Sequence, residues 1–408
     1  MRQTEIGAIR TQAERLLRSN LRKGIDGKTG TGYKFLCPAP GEYRSQWFWD
    51  SCFHAIAMVH IDPETAKAEL ETLLLGQDED GFIGHITFWG NRLFGLTQFW
   101  NYGQSRPGER LRHSGLIQPP MLAIAAEHVA AVSRDAAFLP PLMDGLDLYH
   151  NWLAEHRVPD DDGLLVVLSP YESGMDQSPA YDETLGLDGR PGRWSIGFRD
   201  RWLDFRNWLD AYDTKRMVRA ARFYVKDAAV NAIYAEALAA MARMHRAQGN
   251  ASVAGAYAER AALVTKSILD KMLDRGRGAF FNLTGEHERR GGPLTIGSLV
   301  PLLLEDMPAD IVGEVVERHV HDQSSFWLRF PLPSVAATEP TFEPRGTGAI
   351  WRGPTWVNTN WLLWRALRRH HYDDIADTLA ARTVSMVAQA GLWEYYNPLN
   401  GKGLGAKN

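Results

Sequence analysis

Apolar positions along this chain recur mainly at helical spacing. The clearest run is Val230, Ile233, Tyr234, Ala237, Leu238 and Met241, which share one helix face. The same periodicity predicts helices near 3–20, 49–60, 63–75, 119–132, 136–157, 250–274, 294–304, 308–321, 355–369 and 372–390. Asp62-Pro63-Glu64 supplies an N-cap, a first-turn proline and an acid behind it. Pro119-Pro120, and Asp306 ahead of Pro308, mark two further starts. Strand-like alternation is confined to the short stretches 164–168 and 279–283. The pattern therefore gives an all-α chain of about eleven helices. No soft linker divides them, so residues 1–408 are expected to form one domain.

Two long stretches, 76–117 and 160–222, lack a clean helical period and are rich in Gly, Trp, Phe and Arg. Loops of that length in a compact domain are usually functional. They are expected to form the walls and lid of a pocket, with a short helix near 201–211. Fourteen tryptophans fit that expectation. They cluster as Trp47 and Trp49, Trp89 and Trp100, Trp194, Trp202 and Trp208, and Trp351, Trp356, Trp361 and Trp364. Most must pack the core, but indole faces also suit the apolar face of a sugar ring.

Charge and cysteine usage exclude several classes. The net charge is −4, and no basic patch is interleaved with aromatics, so a nucleic-acid partner is not expected. Residues 1–23 are charged and amphipathic without an apolar signal core, and no run approaches a membrane span. Cys37 and Cys52 stand in no metal-binding spacing, and so few cysteines suit a reducing compartment. The expectation is a cytoplasmic protein. The chain has no phosphate loop after a strand, no His-Glu-x-x-His and no Gly-x-Ser-x-Gly, so no cofactor or metal is expected. The glycine-rich run 401–406 resembles a nucleotide loop superficially, but no strand and helix are predicted around it.

The chemistry concentrates in two segments. Ser169-Pro-Tyr-Glu-Ser-Gly-Met-Asp-Gln-Ser-Pro179 and Leu392-Trp-Glu-Tyr-Tyr-Asn-Pro398 each set an acid among aromatic, small and turn-forming residues. Singly, Asp176 reads equally well as a helix cap and Glu394 as an arginine partner. Together they match what glycoside hydrolysis needs: a protonated acid for the leaving oxygen and an ionised base for water.

With Gln46-Trp-Phe-Trp-Asp-Ser-Cys-Phe-His54 and Trp351-Arg-Gly-Pro-Thr-Trp356, these segments occur in an order that resembles family 63 glycoside hydrolases. The likeness is greatest to the mannosylglycerate and glucosylglycerate hydrolases of that family, and more distant to trehalases and processing α-glucosidases. The resemblance runs from about Tyr43 to the last residues. It implies an (α/α)6 barrel, inversion at the anomeric carbon, no metal in the chemistry, Asp176 as general acid and Glu394 as general base. Inversion calls for carboxyls about 6.5–9.5 Å apart. Matched positions also assign Tyr43, Trp49, Asp50, Gln118, Trp351, Arg352 and Trp356 to the sugar subsite, with Arg352 orienting Glu394 or Asp176.

His85 and Trp89, on the first long stretch, are added as candidate contacts. Glu172 ranks below Asp176 as the acid and is expected to hydrogen-bond within the loop or to the sugar. A glycerate leaving group would need a bidentate arginine, for which Arg201 and Arg216 are the candidates. Relatives continue into a final helix, whereas this chain stops after its glycine-rich turn. Either the sequence is cut short there, or a homo-oligomeric neighbour or another local element is expected to cover a gap in the ring. The reading that results is an inverting α-glycoside hydrolase of small substrates. An exo-α-glucosidase of short saccharides and a non-catalytic sugar-binding barrel are its alternatives.

Overall fold

The computed structural model describes residues 3–27, 29–90, 104, 113–347 and 350–407, with side chains from residue 6 onward. Trp100, Gly348 and the 91–103 and 105–112 parts of the first long stretch lie outside the described residues. Among the described residues there are twelve α-helices. They are α1 (Gln3–Asn20), α2 (Phe48–Met58), α3 (Pro63–Leu75), α4 (Leu122–Ser133), α5 (Met143–Arg157) and α6 (Arg193–Leu209). The series continues with α7 (Thr214–Ala220), α8 (Ala228–Ala247), α9 (Ala251–Ser267), α10 (Ala309–Val315), α11 (Val357–Arg369) and α12 (Asp373–Ala390). No helix among the described residues is long and apolar enough to cross a membrane.

The helices form an (α/α)6 barrel. α4 and α8 are buried nearly all round, as inner helices must be. α3 packs on α2, α9 on α8 and α12 on α11, each an outer helix covering an inner one. Phe53 of α2 and His128 of α4 both meet Trp361 of α11 edge-on. The seam between the two ends of the ring is closed by α1, which touches α2 and α12. Its Ile9 packs on Met386 and Val387, covering a flank for which the sequence offered no helix.

Local chemistry explains where the pattern held and where it failed. Asp62 accepts the Thr65 N–H and Pro63 opens the helix, so α3 begins and ends as its sequence predicts. The predicted helix at 294–304 is instead a pair of 3-10 turns, Ile296–Ser298 and Val300–Leu303. Pro301 cannot supply the N–H that a continuous α-helix requires there. Pro140-Pro141 likewise confines 136–142 to 3-10 turns before α5. The 164–168 stretch contributes one bridge, Val167 to Val225. An unpredicted hairpin joins Leu21–Ile25 to Gly32–Leu36.

The two ends of the barrel differ in chemistry. The first turns of α2, α4, α8 and α11 gather at one end, linked through Gln118, Trp351 and the 170–181 segment. Toward the other end, Glu236 of α8 is almost fully buried and accepts from Arg369 at 2.7 and 2.8 Å and from Arg243 at 3.2 Å. Arg243 also forks onto Glu127 of α4 at 2.6 and 2.8 Å. These arginines hold Glu236 below its ordinary range against the opposing effect of burial. Removing one partner of such a buried network typically costs about 3–5 kcal/mol.

Candidate active site

The loop that carries Asp176 is clamped from below. Pro170–Ser173 forms a 3-10 turn, and Glu172 within it is sealed from solvent with Arg157. Arg157 donates to both Glu172 oxygens at 2.6 and 2.8 Å, and the Ile117 and Leu168 N–H groups donate at 3.1 and 2.6 Å. These four hydrogen bonds occupy both Glu172 oxygens within the protein. The expectation of a sugar contact or an acid role there is corrected, and the within-loop role remains.

Asp176 lies between two left-handed residues, Gly174 (φ 66°) and Gln177 (φ 63°). A side chain at Gly174 would meet the Trp49 ring at 2.5 Å, so only glycine lets the loop lie on α2. Gln177 tolerates its conformation with its Oε1 accepting the Ile350 N–H at 3.3 Å. Asp176 does not cap a helix; Ser178 caps the next turn, Pro179–Tyr181. Burial pushes the Asp176 carboxyl up to about 6.

Glu394 sits in the strand Trp393–Tyr396, paired antiparallel with Gly403–Lys407 across a bulge between Trp393 and Tyr395. The run 401–406 is thus part of a hairpin. Gly405 (φ 74°) makes room for Glu394: a Cβ there would stand 2.5 Å from its Oε2. That oxygen accepts the Ala406 N–H at 2.8 Å, so the backbone rather than an arginine orients it. Burial, then the charge of Asp176, lifts Glu394 to about 7 against the Ala406 hydrogen bond.

Aromatic rings join the two segments. Tyr395 stacks on Trp356 at 4.8 Å, Trp356 on Trp351 at 4.0 Å, and Trp351 meets Trp49 at 6.3 Å. The Trp49 N–H donates to Gln118 Oε1 at 3.0 Å, satisfying an otherwise orphaned donor at the start of α2. One residue on, Asp50 is lifted by burial to about 7; its own backbone N–H opposes the shift, while Glu394 and Asp176 add to it. Burial first, then Glu394 and Asp176, holds the Tyr43 phenol protonated. Tyr43, Asp50, Asp176 and Glu394 therefore share one electrostatic environment.

The remaining candidates fall elsewhere. Arg352 forks onto Asp182, at 2.9 Å on one arm; it orients neither Glu394 nor Asp176, correcting that expectation. Trp89 donates to Gln46 at 2.6 Å and stacks on Tyr33, so it braces the first turn of α2 from behind. His85 is fully buried, bonded to Ser114 at 2.5 Å and lowered by burial to about 3; it is neutral and packs edge-on against Trp47. Arg216 is exposed on α7 with its N–H capped by Asp213. Arg201, on α6, acts electrostatically on Asp200 and Asp204.

Two acids were missed. Asp200 and Asp204, one turn apart on α6, are lifted by burial to about 8 and about 7. Their flanking arginines made the segment read as solvated charge. The outer face of the same helix is apolar and wet: Trp194 is 87% exposed, and Phe198, Trp202, Phe205 and Trp208 are also exposed. Among the described residues, the acids close enough to share a cation are Asp160, Asp162 and Glu288. Lys226 and Lys271 already sit among them at 2.6–2.7 Å, so ammonium groups fill the place of a metal.

Known proteins resemble the chain in sequence and fold. The mannosylglycerate hydrolase of Thermus thermophilus is 30% identical over 410 residues, covering 91% of this chain and 93% of that one. The glucosylglycerate hydrolase of Mycolicibacterium hassiacum is 28% identical over 411 residues, covering 90% of each. The crystal structure of a Thermus thermophilus GH63 mannosylglycerate hydrolase with Tris and D-glycerate superposes with a TM-score of 0.83 at 28% identity, covering 98% of this chain and 96% of that one. The profile of the mannosylglycerate hydrolase MGH1-like glycoside hydrolase domain matches residues 43–408. The chain belongs to this family of glycoside hydrolases.

Proposed function

We propose that the protein hydrolyses a small α-linked glycoside of the mannosylglycerate or glucosylglycerate kind with inversion, Asp176 acting as acid and Glu394 as base. The observation that carries this reading is the pair itself. Two half-buried carboxyls of raised proton affinity both act on Asp50 and Tyr43, and Asp176 acts on Glu394, beside one continuous aromatic wall. In the reaction, Asp176 gives its proton to the glycosidic oxygen as the bond to the anomeric carbon breaks. Glu394 takes a proton from water as the water oxygen bonds to that carbon from the opposite face. Asp50 and the Tyr43 hydroxyl offer hydrogen bonds to the sugar, and the Trp351 and Trp356 rings support its apolar face. The cysteines Cys37 and Cys52 are buried and unbridged, which supports a reducing compartment such as the cytoplasm.

Proton NMR of the wild type with glucosylglycerate and mannosylglycerate tests the reading. Release of the β-anomer first, absent in Asp176→Ala, is the expected result. Release of the α-anomer first would overturn inversion. Silence on both compounds and on α-linked disaccharides would favour a sugar-binding barrel instead.

A further inference from the structure

The helix that the sequence predicts only as a short piece near 201–211 spans Arg193–Leu209 and runs alongside the loop of Asp176. At its first turn Arg193 acts on Tyr395, the neighbour of Glu394. Asp200, seven residues on, has Asp176 as the strongest charge acting upon it. Seven residues of α-helix rise about 10 Å, so α6 reaches from the strand of the base to the loop of the acid. Asn207 fastens it there, donating to the Leu168 carbonyl at 3.5 Å.

Asp200 is 2% exposed, and among the described residues neither of its carboxyl oxygens has a hydrogen-bond partner. Asp204 accepts from Gln104 through Oδ2 at 3.0 Å and leaves Oδ1 unpartnered. Buried polar atoms without partners are rare because their desolvation goes uncompensated. Here three such oxygens stand on one helix face beside the acid. The Tyr171 phenol stands among the same groups, under the influence of Asp204, Asp200 and Asp176.

Position decides which part of a substrate would meet them. The acid stands at the glycosidic oxygen, and the base on the far side of the anomeric carbon. Asp50 and Tyr43 feel both carboxyls, and the proposed function sets the sugar beside them. The charges acting most on Asp200 are Asp176, Asp204, Arg201 and Arg352, which puts it on the acid's side, where the departing alcohol lies. Near neutral pH the raised affinity leaves Asp200 both an O–H and acceptor oxygens, and the group of a sugar conjugate that both donates and accepts is a hydroxyl.

We propose that Asp200, with the free oxygen of Asp204 one turn on, anchors a free hydroxyl of a polyhydroxy leaving group such as glycerate or glycerol. The proposal rests on the assignment of Asp176 as acid. It makes Asp200 a specificity-determining residue that takes no part in proton transfer.

Three substrates sharing the sugar accepted by the wild type separate these claims: the α-glycosides of glycerate and of lactate, which lacks the second hydroxyl, and the α-glycosyl fluoride, which has no alcohol. The wild type should favour the glyceryl over the lactyl compound by about tenfold or more in kcat/KM. Asp200→Asn should shrink that ratio to within about threefold while the fluoride is affected least. Asp204→Asn, measured alongside, should shrink it in part and serves if the first variant fails to fold. A wild type that treats the glyceryl and lactyl compounds alike overturns the anchor alone. Equal loss on all three compounds in Asp200→Asn overturns it in favour of a structural role. A wild type that cleaves none removes the hydrolytic reading and the anchor with it.

Discussion

Asp176 and Glu394 hold similar proton affinities, raised by burial to about 6 and about 7. Asp176 acts on Glu394, whose affinity is the higher, so the working form proposed above, with the proton on Asp176 and Glu394 ionised, is the minor of the two singly protonated states. Below about 6 both are protonated and no base remains; above about 7 both are ionised and no acid remains. The expected profile of kcat/KM is a narrow bell with its maximum between those values, and a plateau reaching pH 8.5 would exclude it. Replacing either by its amide should lower kcat by about 10²–10⁴-fold. Asp176 and Glu394 stand out in the sequence because each stands alone among aromatic and turn-forming residues. Glu172 shares that setting, and only Arg157, fifteen positions earlier, identifies it as structural. No spacing rule ties those two residues together. Asp200 was hidden by Arg199 and Arg201, since a charged run normally means a wet surface.

Hairpins and loops, rather than the barrel helices, aim the site. Glu394 lies at the bulge opposite Gly405, where the Ala406 N–H holds it. Gly405→Ala would press a methyl group against the carboxylate and should cut kcat by about 10–100-fold. The accompanying stability loss should be about 1–2 kcal/mol, since φ is positive there. Turnover and thermal unfolding measured together check this; a stable variant of full activity would show that the bulge does not set the base. Elements were legible where capping and periodicity agreed, as in α3. They were lost where one contradicted the other. The 294–304 stretch has helical apolar spacing but carries Pro301. α6 has apolar residues on opposite faces, so no single stripe emerges. The strand Gly403–Lys407 hides in glycines that are there to clear Trp393 and Glu394.

The whole molecule carries its raised carboxyls as a pH-dependent load. Asp50, Glu69, Asp200, Asp204 and Glu394 are all lifted by burial to between about 7 and about 8. The folded state therefore binds more protons than the unfolded chain from about pH 4 to 8, and these groups lose stability for the fold as pH rises through that window. His54, His85, His128 and His150 are lowered by burial to between about 3 and about 4. Their effect is opposite in sign, and it ends near pH 6.5, where the unfolded imidazoles are already neutral. The two sets offset one another below about 6.5, and the carboxyls act alone above it. The melting temperature should accordingly fall between pH 6.5 and 8, and fall less in Asp200→Asn; a rise over that interval would contradict the burial of these acids. The arginine network around Glu236 lies outside this balance, because its carboxylate is already ionised. α6 bears the consequence most directly, since its rings face water while its acids are kept from it. Such an inside-out segment gains little from remaining docked, and each ionisation at Asp200 or Asp204 weakens its seat. Amide hydrogens of α6 should exchange far sooner than those of α8, with a pH dependence steeper than an unstructured chain shows. The threshold of the pocket would then be the most alkali-sensitive part of the protein, and substrate would enter through the segment that water most readily lifts away.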